Sequence, residues 1–262
     1  DCIAVGEHFM RGNPPTPSHV ALPLLGVAAG ATEKIKLLSS ILLTPFYHPT
    51  VLAKMTTTLD IASSGRLMLG VGVGGEFPME FTAAEIPLKE RGDITNECLY
   101  LLRRLWTEGH ITYHGKHFTL DDVSLLPSPF QKPHPPIWVA GRKEAAMKRA
   151  AIFGNAWLPY FFDPDQYRTS VKKILEYSHS TGRPLGGDFQ WCLFPYISIY
   201  PTVEEASRVA ADTLSKNYLY KGDFINVVRR YCIAGPTEHC VKRLKQYLDA
   251  GVQYIVFSIA CP

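Results

Sequence analysis

The chain has 262 residues, 46% hydrophobic and 19% charged, enough to bury one large core, and neither a low-complexity run nor a Pro/Ser-rich linker divides it. Its formal net charge is only +3 and its basic residues are dispersed among acids, which excludes the concentrated basic surface of a nucleic-acid binder. It has no long apolar run of membrane-spanning type and no signal peptide, so the expectation is a cytoplasmic protein with no membrane partner.

In chain order, Asp1 leads straight into Cys2-Ile3-Ala4-Val5-Gly6, which reads as the inside of a strand. Glu7-His8-Phe9 and a Pro-rich loop from Gly12 to Pro17 follow, and Ser18 is placed to cap a helix running to about Ala31. Lys34 to Leu38 is the next strand, residues 39–45 an irregular loop, and Pro49 to about Ala62 a helix. The apolar run Leu67 to Val71 reads as a buried parallel strand that enters a glycine-dense turn at Gly70, Gly72, Gly74 and Gly75. Pro78 and a long loop to Arg91 then intervene, so the glycines do not make a dinucleotide-binding fingerprint. They serve either close backbone approach to a bulky or anionic ligand or simply a tight turn closing the strand.

Lys89 to Trp106 is a long amphipathic helix, and residues 108–134 form a small excursion in which His110 to Leu126 alternates around Gly115 as a hairpin. Ile137 to Ala140 is a short apolar strand ending in Gly141-Arg142, Lys143 to Phe153 a helix, and Gly154 to Leu158 a strand. Asp163-Pro164 begins a helix stopped by Gly182, and Phe189 to Tyr200 is a long aromatic and β-branched strand. A helix from Val203 to Asn217, a less regular insertion at Lys221 to Arg230, a helix reaching Ala250 and a final strand, Tyr254 to Ile259, complete the chain. Seven strands separated by helices exceed what an open doubly wound sheet normally needs. The expected fold is a single α/β domain over 1–262, a (β/α)8 barrel whose first strand and helix, and whose last helix, lie outside the sequence.

In such a barrel the site lies at the C-terminal ends of the strands. His8 is the sharpest candidate there, because imidazole exchanges protons near neutrality; the alternative is a satisfied structural histidine. Glu7 and His8 are adjacent on an extended segment and so point to opposite sides. Gly141-Arg142 before a helix N-terminus combines free N–H groups with a guanidinium, a seat for phosphate, or else a short connection with surface bases. Glu76 and Glu80 follow the glycine turn as candidate acids, with Glu76 taken as the catalytic candidate, or as solvated loop residues. Arg66 reads as a structural ion-pair anchor, and Trp138 and Trp157 as packing. His110, His114 and His117 surround Gly115 without a carboxylate pattern, and the cysteines Cys2, Cys98, Cys192, Cys232, Cys240 and Cys261 show no metal spacing, so no metal is expected; buried free thiols are the default for four of the six.

Several segments together carry a resemblance: VGEHF at 5–9, HPTVLAKMTTTLDIASSGRLMLGVGVG at 48–74, ERG at 90–92, LLRRLWTE at 101–108, PHPPIWVAGRKEAAMKRAAIFGNAWLP at 133–159 and AGPTEHCVKRLKQYLDAGVQYIVFS at 234–258. They cover most of the chain, which resembles the luciferase-like flavin and deazaflavin oxidoreductases, most closely the subgroup using coenzyme F420. The resemblance implies a (β/α)8 barrel with an extra segment after the fourth strand. It places His8 near the reacting end of the cofactor, and Ser39, Ser40 and Ile41 at a bulge behind the ring, where some members have a non-prolyl cis peptide. Gly72, Gly74 and Gly75 fall beside the cofactor, and Gly141 and Arg142 on its phosphate. Gly75 stands where many relatives carry a tryptophan, which opens that side of the pocket.

The implied activity is hydride transfer between coenzyme F420 and a small organic substrate. The alternatives are an FMN-dependent monooxygenase using reduced flavin and oxygen, and a flavin-binding barrel without turnover. A metal-dependent hydrolase is disfavoured, because the strand ends supply no cluster of carboxylates and histidines. Apolar helix faces around Val51 to Ile61 and Ile94 to Leu105 are expected to support a homodimer.

Overall fold

The computed structural model describes residues 1–11, 15–218 and 222–261, so the expected loop at Gly12 and the start of the expected insertion at Lys221 lie outside the described residues. The chain forms two compact units, Asp1–Val139 and Ala140–Pro262.

The first unit opens with β1 (Cys2–Val5), α1 (Ala21–Ala31), β2 (Lys36–Ser39), the two-residue β3 (Leu42–Leu43), α2 (Pro49–Ala62) and β4 (Leu67–Gly72). α3 (Pro78–Ala83), α4 (Arg91–Thr107), β5 (Ile111–His114), β6 (Thr119–Val123) and β7 (Ile137–Ala140) follow. β1, β2, β4 and β7 run parallel in that order, with Val5 opposite Ser39, Leu38 opposite Met68 and Gly70 opposite Trp138. Every residue of β4 is buried, as its unbroken apolar run requires of a strand covered on both faces.

Three expectations about the elements are corrected in this unit. Ser18 does not cap α1; the N-cap is Val20 without a side-chain bond, and the Glu7 carboxylate instead accepts the Ala21 N–H at 3.1 Å. The segment from Pro78 towards Arg91 is not a long loop, because α3 starts at Pro78, a residue suited to a first helical turn. Within the expected irregular loop, Leu42 and Leu43 pair with Val71 and Gly72.

Arg66 is buried at the start of β4 but is anchored by the ends of helices, not by a carboxylate. Its guanidinium donates to the carbonyls of Ser63 and Ala29 at 2.8 Å and to the Thr32 hydroxyl at 2.8 Å. These carbonyls lie at helix C-termini, where a cation offsets the negative end of the dipole. The excursion is an antiparallel hairpin of β5 and β6, held to α4 by Glu97, which accepts the N–H groups of His117 and Phe118. Its return to β7 is pinned by the fully buried Asp60, which accepts the Gln131 backbone N–H at 2.9 Å and its side-chain amide at 2.7 Å.

The second unit contains α5 (Glu144–Phe153), β8 (Ala156–Leu158), α6 (Pro164–Ser180), β9 (Gln190–Leu193), β10 (Tyr196–Ile199), α7 (Val203–Asn217), α8 (Ile225–Tyr231), β11 (Ile233–Gly235), α9 (Thr237–Asp249), β12 (Tyr254–Ile255) and β13 (Ser258–Ile259). β9 lies between β8 and β12, and β10 between β11 and β13, all parallel. The strands expected at 189–200 and 254–259 are thus each broken in two. The first breaks at Phe194-Pro195, where proline offers no N–H to a ladder, and the second breaks beside it, with Ser258 N–H donating to the Pro195 carbonyl. β11 was not foreseen as a strand. Phe161, Ala206, Leu214, Phe224 and Val228 form the core against α7 and α8. Cys98, Cys192, Cys232 and Cys240 are buried free thiols, while Cys2 and Cys261 are partly exposed.

Candidate active site

His8 lies just past the C-terminal end of β1, its side chain 24% exposed. Nδ1 is 3.0 Å from Oε1 of Glu80, a carboxyl group wholly withdrawn from solvent. The other oxygen of Glu80 accepts the backbone N–H groups of Phe9, at 2.8 Å, and Met10, at 3.3 Å. The Phe77 ring meets the imidazole edge-on, with centroids 4.8 Å apart, and the Arg11 guanidinium lies 6.0 Å from the centroid of the same ring. Phe77 is the N-cap position of α3 and Glu80 belongs to its first turn, so a short helix absent from the expected chain order supplies both contacts.

Glu7 points the other way, as alternation along an extended segment demands. Its oxygens accept from the N–H groups of Ala21 and Leu43 and from the Tyr47 hydroxyl, at 3.1, 2.9 and 2.8 Å. Burial pushes its carboxyl above the usual range, opposed by those three hydrogen bonds. Burial and the neighbouring Glu7 charge likewise push the Tyr47 phenol up. Glu7 therefore joins β1, α1 and β3 and leaves the imidazole to Glu80.

Ser39, Ser40 and Ile41 continue from β2, and the Ser40-Ile41 peptide is cis. The glycines of β4 make room for this bulge: a Cβ on Gly70 would collide with the Ser39 carbonyl and one on Gly72 with the Ile41 side chain. The Ser39 hydroxyl donates to the Gly70 carbonyl at 2.8 Å. Beyond the strand, Gly74 and Gly75 take positive φ values of 63° and 114°, open to glycine without strain. Arg91 of the ERG segment holds this turn from outside, its Nε donating to the Gly74 carbonyl at 3.3 Å and its Nη1 to the Leu88 carbonyl at 2.6 Å. Glu76 is solvent-exposed in the same turn, one helical turn before the buried Glu80.

In the second unit, Gly141 has φ 125°, and a Cβ there would lie 2.7 Å from the Ala146 methyl, so glycine lets the end of β7 close onto α5. Its carbonyl accepts from the Trp157 indole at 3.0 Å. The N-cap of α5, Lys143, makes no side-chain cap, and Arg142 is exposed with its guanidinium 4.8 Å from the Tyr160 ring centroid. An uncapped helix N-terminus beside an arginine held against an aromatic face has the donors an anionic oxygen group requires.

The structure thus joins His8 with Glu80, and Ser39 to Ile41 with Gly70 and Gly72. Sequence reasoning named Glu80 only as an alternative to Glu76 and did not pair it with His8. The signal for Glu80 was present in Phe77-Pro78-Met79-Glu80, a proline at the first helical position with an acid in the first turn, a pattern that marks a helix start. The hairpin histidines carry carboxylate partners that the sequence did not show: His110 lies 2.9 Å from Asp122 and His114 3.1 Å from Asp121, all four on exposed surface.

The chain is 25% identical to an F420-dependent glucose-6-phosphate dehydrogenase of Microbacterium testaceum (strain StLB037), over 98% of this chain and 82% of that enzyme. It is 26% identical to an FMNH(2)-dependent dimethylsulfone monooxygenase of Pseudomonas putida, over 79% of this chain and 56% of that enzyme. Among solved structures, an F420-dependent secondary alcohol dehydrogenase in complex with an F420-acetone adduct matches with a TM-score of 0.84 at 21% identity, covering 100% of this chain and 85% of the other. Monooxygenase RslO1 from Streptomyces bottropensis matches with a TM-score of 0.80 at 24% identity, covering 100% and 82%. These likenesses show the expected α/β barrel type of fold. With a family profile described as luciferase-like monooxygenase matching residues 1–254, the chain belongs to the luciferase-like monooxygenase family.

Proposed function

We propose that this chain is an oxidoreductase that transfers a hydride between coenzyme F420 and a small organic substrate. The observation that carries the reading is His8, a part-exposed imidazole clamped just past a strand whose neighbour ends in the Ser39 to Ile41 bulge. The residues present fit such a coenzyme. In the second unit the donors at Gly141, Arg142 and the N-terminus of α5 suit a phosphate, and in the first the glycine-lined bulge offers backbone and the apolar Ile41 to a ring.

When bound, the deazaflavin ring supplies the carbon that accepts or gives the hydride. The chain's own part is binding and proton handling. Gly74 and Gly75 keep side chains away from the coenzyme, Arg91 fixes the turn that carries them, and His8 takes or gives the proton at the substrate oxygen. Glu76, exposed near this end of the unit, is the additional acid in the proposal.

A second reading, a monooxygenase using reduced FMN and oxygen, is favoured by the likeness to the FMNH(2)-dependent enzyme. Parallel titrations with FMN and coenzyme F420, then anaerobic reduction of the one that binds, decide between them. Tight F420 binding with negligible FMN affinity supports the dehydrogenase or reductase; oxygen uptake with reduced FMN and a substrate overturns it.

A cytoplasmic homodimer completes the proposal. Among the described residues no helix is long and apolar enough to cross a membrane. Val51 and Met55 are exposed on α2, which supports this helix as the dimer face, whereas Ile94, Leu99, Leu102 and Leu105 of α4 are buried within the first unit.

A further inference from the structure

We infer that Glu80 is the positioning residue of this site: it holds His8 in the Nδ1–H tautomer and leaves Nε2 as the ring atom that faces the substrate's proton. The inference rests on the hydride-transfer reading above but goes beyond it, because it fixes which nitrogen reacts and what fixes it.

An ionised carboxylate only accepts hydrogen bonds. Oε2 of Glu80 already takes two backbone N–H groups, from Phe9 and Met10, so the carboxylate turns Oε1 towards His8 as a third acceptor site. Nδ1, 3.0 Å away, must then carry the proton, and in a neutral imidazole the other nitrogen is the acceptor. Turning the ring over about Cβ–Cγ would put Cδ2 in the place of Nδ1 and lose the Glu80 bond. Glu7, the other acid beside His8 in sequence, spends its oxygens on Ala21, Leu43 and Tyr47 and does not compete.

The substrate class that suits this tautomer is a hydroxyl compound. Its O–H proton passes to Nε2, its carbinol C–H leaves as hydride to the oxidised coenzyme, and the carbon and oxygen are left as a carbonyl. A chain whose imidazole offered Nε2–H at rest would instead meet a carbonyl first.

Glu80→Gln tests the assignment by reversing it. The Gln carbonyl keeps the N–H groups of Phe9 and Met10, which puts its amide NH2 against Nδ1 and makes Nε2 the protonated atom. The readout is the imidazole ¹⁵N spectrum of the full chain without coenzyme, recorded about two units above the ordinary imidazole pKa of ~6.5. His8→Asn identifies the His8 signals among the nine histidines. Wild type is expected to show a pyrrole-type Nδ1 and a pyridine-type Nε2, and Glu80→Gln the reverse. Glu80→Asp, which keeps the acceptor, should retain the wild-type pattern. With coenzyme, Glu80→Gln should lower kcat about 10- to 100-fold with little change in KM, as loss of an orienting partner does elsewhere, and Glu80→Asp should recover most of it. An Nε2-protonated His8 in wild type overturns the inference, and this holds even should Glu80→Gln fail to fold. So does an equal loss in the Asp and Gln variants. The expected tautomers without turnover on any coenzyme would instead support the role of Glu80 and sink the hydride-transfer reading.

Discussion

His8 and Glu7 are neighbours in sequence with opposite duties, and each makes a separate measurable claim. Replacing His8 by Ala removes the proposed proton-handling group, so kcat should fall by about 10²- to 10⁴-fold, the usual worth of a positioned acid or base, with coenzyme affinity nearly unchanged. Steady-state kinetics beside a binding titration check this; a loss confined to binding would show that the ring only holds the coenzyme. Glu7 concerns stability. Its carboxyl is raised above 4.5 in the folded chain, so between that value and the higher folded one the native state binds more protons than the unfolded chain. Its contribution to stability is therefore fully present below the unfolded value and is lost as pH rises through the folded one. Glu7→Gln should flatten this descending part of the curve of Tm against pH, and an unchanged slope would mean that other groups produce it. The division of labour between the two residues was legible from alternation along a strand. The pairing of His8 with Glu80 was not, because 72 residues separate them and burial of a carboxylate is decided by packing.

At the scale of elements, the glycines of β4 were read either as admitting a ligand or as a tight turn closing the strand, but Gly70 and Gly72 first admit the chain's own bulge. Gly70→Ala sets a methyl against the Ser39 carbonyl, a backbone atom with no room to retreat, and should cost about 3 kcal/mol or prevent folding, the upper end of overpacking penalties. Gly26→Ala is the matching control. Gly26 lies in α1 with nothing within 4 Å of an added Cβ, so the same chemical change should stabilise by about 0.4–1 kcal/mol through the unfolded chain. Urea denaturation of the two variants measures both, and a mild Gly70→Ala would show that the bulge can yield. Helix and strand order was readable because apolar period and punctuation are local properties, as in Leu67 to Gly72. α3 escaped because six residues are too few for a period to show, and β11 because Ile233 to Gly235 is only three residues long. The breaks in the late strands depend on Pro195 and on the neighbour it leaves without a donor, a pairing fact.

For the molecule as a whole, the family and the fold could be read from phrases spread along most of the chain, while the choice between deazaflavin and flavin could not, because relatives of both kinds share the same scaffold. That choice has a stability signature. A coenzyme that binds only the native chain, present at about a hundred times its Kd, adds about 2.7 kcal/mol. At roughly 2–4 °C per kcal/mol for a chain of this size, Tm should rise by about 5–10 °C. Coenzyme F420 is expected to give this shift and FMN at the same concentration little. Arg142→Ala tests the proposed phosphate seat. The guanidinium rests on the Tyr160 face in solvent, so its removal should leave the Tm of the free chain nearly unchanged and shrink the coenzyme-induced rise. A full rise in the variant would move the phosphate away from Arg142, whereas equal rises with both coenzymes would remove cofactor choice as a property of this chain's own residues.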